Sequence, residues 1–183
     1  MLNEELVKRV IGLVDKGLVR GLGEQKPGKM CVEAVICAAL GLEHGDDPGC
    51  VMQPLRRFKI ILNDSIFWRD DLSRASGMRR LAVAQIGSLG MNEVVFVEEL
   101  SRLAIKWAAE SAESAESAEW AADSAKWAAK SANWAAESER SAKWAAEWAA
   151  DRILASCAED VVQLLIKLEA PGTKFLYLTE QPA

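Results

Sequence analysis

The chain has a single histidine, His44. Its four cysteines (Cys31, Cys37, Cys50 and Cys157) contain no paired C-x-x-C spacing, and neither glycine nor proline occurs between residues 103 and 170. Each absence narrows the function. One histidine confines any histidine-dependent chemistry to one position, and unpaired cysteines remove the strongest zinc signature. No stretch approaches the roughly 20 consecutive apolar residues that span a bilayer. The N-terminal MLNEELVKRV lacks the basic-then-apolar layout of a secretory leader, so a cytoplasmic location, no membrane association and reduced thiols are expected. A net charge of -5 without a long basic run excludes a general nucleic-acid binder. No run of alternating apolar and polar residues supports a sheet, and the predicted class is all-α.

What is present reads as helices between turn signals. Asn3 caps a first helix whose apolar face is Leu6, Val7, Val10, Ile11, Leu13 and Val14. Gly12, Gly17, Gly21 and Gly23 weaken and end it, and Pro27-Gly28 marks a turn. A short apolar helix follows from about Met30 to Leu40, stopped by Gly41. Glu43 to Cys50 is a compact polar loop. Pro54 suits the first turn of a helix ending near Asn63-Asp64, and another is predicted from about Gly77 to Ile86. Gly87-Ser88-Leu89-Gly90 breaks the chain, and Asn92 caps the segment leading into a long helix. Pro171-Gly172 closes it, and Phe175–Leu178 reads as a short extended tail packing back on the domain. The organisation is a helical domain at 1–100, a repeat helix at 101–170 and a tail at 171–183.

From Ala108 to Ala150 nearly every residue is Ala, Ser, Glu, Lys or Trp. Alanine is the best helix former, and at 1.5 Å per residue the 103–168 segment reaches roughly 100 Å if unbroken. Ala122, Ala125, Ala129, Ala132 and Ala136 keep the spacing of a coiled-coil seam. Trp120, Trp127 and Trp134 form a stripe on nearly the opposite side, and an exposed aromatic row marks an interaction surface. Trp144 and Trp148 fall out of step with that stripe, turning it by about 80° around the helix. Either the helix breaks near Ser138–Ser141, where a fold-back would turn, or a different neighbour is met beyond. A long helix or helical hairpin driving homo-oligomer packing is the expectation; expansion of a tolerated helix is the alternative.

The chemically dense region lies between Cys31 and Asp64: Cys31-Val-Glu33-Ala, His44-Gly-Asp46-Asp47-Pro48-Gly-Cys50, Pro54 and Leu62-Asn63-Asp64. The pattern C-x-E-A, H-x-D-x-P-x-C, P and L-N-D resembles a widespread family of bacterial and phage proteins of unassigned activity, over residues 28–90. The resemblance implies that Cys31, Glu33, His44, Asp46, Cys50, Asn63 and Asp64 share one site or one structural knot. Phage members of that family suggest interference with host signalling or defence.

Several chemistries fit these residues. Cys31 near a helix N-terminus, where the dipole lowers a thiol pKa, is a candidate nucleophile with His44 as base. Cys31, His44 and Cys50, with Asp46 or Glu33, are candidate zinc ligands; otherwise no cofactor is expected. The same residues also serve as helix caps and turn formers, or line a ligand pocket. Arg56, Arg57, Lys59, Arg69, Arg74, Arg79 and Arg80 face only Asp64, Asp70 and Asp71 over the same stretch, and arginine forks suit phosphate or carboxylate groups. The expected function is a non-catalytic, oligomeric binding or sequestering module. Its ligand is a small anion, nucleotide-like in one reading, or a partner protein, with Glu33, His44, Asp46, Asn63, Asp64, Arg79 and Arg80 as binding residues. The alternative is a cysteine- or zinc-dependent hydrolase centred on Cys31 and His44.

Overall fold

The computed structural model describes residues 2–107 and 135–180, with 135–150 as backbone only. Among these residues there is no strand, only an isolated antiparallel bridge between Gly23 and Met30. Helix α1 (Glu4–Val14) begins at Asn3, whose side chain accepts from Leu6 N, and buries Leu6, Val7, Val10, Ile11 and Val14. Helix α2 (Val32–Leu40) stops at Gly41, which adopts a left-handed φ of 72° that favours glycine. Helix α3 spans Gln53–Asn63 with Pro54 in its first turn.

Helix α4 covers Asp71–Ala84, starting about two turns before the predicted Gly77. The cause is a capping box: Asp70 accepts from Ser73 N, and the Ser73 hydroxyl accepts from Asp70 N. Gly77 sits in the helix interior because a Cβ there would lie 2.5 Å from the Trp68 ring and 3.2 Å from Ala155.

A fifth helix, α5, begins at residue 93 and is described to 107; Asn92 accepts from Val95 N at its start. Phe96 is fully buried, and Leu100, Leu103 and Trp107 pack against the core at the three-four spacing of a helix seam. Helix α6 (Ala135–Lys167) runs unbroken across 138–141, so of the two alternatives drawn from the tryptophan spacing the break is not found there. Nothing in Ser-Glu-Arg-Ser interrupts a helix as glycine or proline would. Glu99 meets Lys167, whereas Trp107 meets Asp160. The ends of α5 and α6 are therefore antiparallel limbs rather than successive stretches of one rod. The alanine seam and the Trp120, Trp127 and Trp134 stripe lie outside the described residues, as do the side chains of Trp144 and Trp148.

The core joins all these elements. Ala158, Val161, Val162, Leu164 and Leu165 of α6 are buried in this core, where α6 packs chiefly against α4; each large aliphatic chain so buried contributes about 1.5–3 kcal/mol. The tail is a 3-10 helix, Pro171–Glu180, and not extended. Its tight turns are held by Thr173 and Thr179, whose hydroxyls donate to the carbonyls three residues earlier. It packs back on the domain as expected, with Leu176 and Leu178 buried. No helix of the described residues is long and apolar enough to cross a membrane.

Candidate functional site

Two recesses carry most of the polar chemistry. The smaller, about 60 Å³, lies between the loop at Gly21-Leu22, the start of α2 and the end of α3. It gathers five of the residues singled out by sequence: Cys31, Glu33, Asp46, Asn63 and Asp64. Asn63 is nine-tenths or more buried and ties three segments together. Its amide donates to Val19 O (2.9 Å) and Asp64 Oδ1 (2.8 Å), and its Oδ1 accepts from Val32 N (3.3 Å). Asp64 Oδ1 also accepts from Gly21 N (2.8 Å). The backbone of the same turn is used too: Trp68 Nε1 donates to Leu62 O and Arg74 Nε to Asn63 O, both at 2.8 Å.

One residue of this wall belongs to a pair the sequence did not announce. Glu33 of α2 and Lys59 of α3 are both fully buried and in direct ionic contact. Burial pushes the Glu33 carboxyl pKa up and the Lys59 ammonium down, while the attraction between them opposes both shifts. Glu33 Oε2 has no hydrogen-bond partner among the described residues. The same interior raises the thiol pKa values of Cys31 and Cys50, and that of Cys37 to about 11, through desolvation.

Cys31 occupies the N-cap of α2, its Sγ accepting from Ala34 N at 3.4 Å. The helix dipole was expected to lower its pKa. Burial outweighs the dipole and the thiol pKa is raised. His44 lies apart from the small recess, with Nε2 3.1 Å from Gly23 O. Cys50 is likewise outside the recess wall, and none of the four cysteines forms a disulfide. Among the described residues no group of three His, Cys, Asp or Glu side chains is placed to hold a metal ion.

The predicted arginines are dispersed. Arg56 clamps the polar loop, donating to Asp46 O (2.6 Å) and Asp46 Oδ1 (2.7 Å). Arg57 is exposed. Arg79 grips Asp15 of α1 with two nitrogens, at 2.7 and 3.0 Å, and donates to Thr179 O of the tail. Arg74 is buried, with Nη1 2.7 Å from Leu18 O. These three guanidinium groups act as braces.

Arg80 belongs to the second recess, an open groove of about 510 Å³ between α4 and α6. The Trp68 indole, Gly77 and Ala155 form part of its lining, Ser73 and Ser76 line the α4 side, and Arg69, Arg80 and Arg152 stand with Asp151 and Glu159. Arg80 Nε meets Glu159 (3.0 Å) and Arg69 N donates to Asp151 (2.8 Å), both across the helix boundary. Arg152 is exposed and has no ion-pair or hydrogen-bond partner among the described residues. Arg69 and Arg152 were legible only as charge, because the groove exists only once α6 returns to α4. No protein-family model, no curated protein and no solved structure matches this chain.

Proposed function

We propose that the protein is a non-catalytic binding module, acting in the cytoplasm, whose groove between α4 and α6 takes a small anionic ligand. One observation carries the reading: a recess of about 510 Å³, within the usual range for small-molecule sites, with three arginines in its walls. Arg69 meets Asp70 and Asp151, and Arg80 meets Glu159 and Glu180, which leaves Arg152 as the groove arginine without an acidic partner among the described residues. The Ser76 hydroxyl of α4 supplies a further donor. A phosphate or carboxylate attached to a flat or apolar body suits this lining better than a bare ion does.

The hydrolase alternative has less support. Its nucleophile candidate is buried and capping a helix, and the histidine that would serve as base is directed at a backbone carbonyl. A second part of the proposal is self-association, which rests on the two-faced repeat helix in the sequence. The solvent side of α5, with Val94, Val97 and Ile105 exposed, adds an apolar row. Calorimetric titration with adenosine monophosphate and inorganic pyrophosphate, on wild type and Arg152→Ala, tests the anion site. Binding weakened about tenfold by the substitution is expected for loss of one charge-assisted contact; no binding of either anion would overturn it.

A further inference from the structure

The small recess at the α2–α3 junction has the opposite chemistry to the groove, and we infer that it is a receptor for a primary ammonium group. The argument begins with its hydrogen-bonding inventory. Asn63 uses both amide protons within the protein, on Val19 O and Asp64 Oδ1. Gly21 N is held by Asp64, Val32 N by Asn63, and Cys31 N donates to Leu22 O. These donors of the wall are engaged. What remains among the described residues is acceptor capacity: Glu33 Oε2, fully buried with no hydrogen-bond partner there, and Asp64 Oδ2, since the bonds to Asp64 fall on Oδ1. An occupant must therefore bring donors.

Charge points the same way. Glu33 is paired with Lys59 and Asp46 with Arg56, whereas Asp64 has no cationic side chain in contact among the described residues. One positive charge balances the recess, and an anion would meet three carboxylates. Size decides the form of that charge. A water occupies about 10–15 Å³ of comparable volume, so a recess of about 60 Å³ admits an ammonium with a short stem and excludes a nucleotide or an aromatic ring. A metal ion fits less well, since no three ligating side chains converge among the described residues, while an ammonium spreads its three donors over separate acceptors at ordinary hydrogen-bond length. The ammonium is that of a free small amine or of a lysine side chain on another protein; both present the same group.

Amide chemical-shift mapping on the full-length protein tests this with methylammonium, Nα-acetyl-lysine amide and tetramethylammonium as probes. Methylammonium is expected to shift the Gly21, Val32 and Asp64 amides in a saturable manner. Tetramethylammonium, which has charge but no donors, is expected to leave them unmoved. Asp64→Asn, which keeps an acceptor for Gly21 N, should weaken methylammonium binding at least tenfold. Tighter binding of the lysine derivative than of methylammonium identifies a protein lysine as the source, and equal binding a free amine. Equal shifts from tetramethylammonium, or no saturable shift at these amides in the wild type, would overturn the inference even if the variant failed to fold.

Discussion

Lys59 of α3 is held out of water, and its only charged contact among the described residues is Glu33 of α2, also fully buried. Removing one member of such a pair leaves an uncompensated charge in the interior. Lys59→Met is therefore expected to cost about 3–5 kcal/mol, whereas Lys59→Met combined with Glu33→Leu should be close to the wild type or more stable. Denaturant midpoints of the three proteins decide it, and a double variant as damaged as the single would show that the charges are not the coupled unit. In sequence, Lys59 reads as another cation beside Arg56 and Arg57, because nothing local marks a lysine for burial. Its environment is set by a residue on a different helix. Asn3, Gly41 and Asn92 were legible for the opposite reason, since a cap acts within three or four positions of itself.

At the scale of elements, the packing of α4 on α6 turns on Gly77. Replacing it with alanine gains about 1 kcal/mol of helix propensity, but the added methyl would lie 2.5 Å from Trp68. Trp68 is buried and held by its bond to Leu62 O, so the ring has little room to yield. Overpacking of this kind costs about 1–3 kcal/mol, and Gly77→Ala is expected to lower stability by up to about 2 kcal/mol net. A raised thermal midpoint would mean that the ring moves and that the α4–α6 boundary is softer than described. Sequence placed the start of α4 at this same glycine, although Asp70 and Ser73 already formed a recognisable cap. The tail was misread as extended because Phe-Leu-Tyr-Leu has no helical period, while the threonines that tighten it act through three-residue hydrogen bonds.

For the whole molecule, the all-α class was legible from the absence of alternation and from the helix stops, and a helical hairpin was one of the two forms expected of the repeat, but the place of the reversal was not legible, since Ser138–Ser141 lies within α6. A repeat without glycine or proline contains no local signal for reversal. Only the cross-contacts of Glu99 with Lys167 and Trp107 with Asp160 reveal the antiparallel limbs. The small recess was partly legible, because five motif residues converge on it, whereas the groove needed the tertiary fold. Static light scattering at micromolar concentration should report an assembly larger than a monomer. A monomer would remove the self-association part of the proposal and leave the two proposed sites as they are.

The central claim, an anion site between α4 and α6, is tested most directly by calorimetric titration of inorganic pyrophosphate and adenosine monophosphate into the full chain beside Arg152→Ala. The account predicts saturable binding of at least one of them, weakened about tenfold by the substitution. No saturable binding of either anion, or an affinity unchanged by Arg152→Ala, would contradict it.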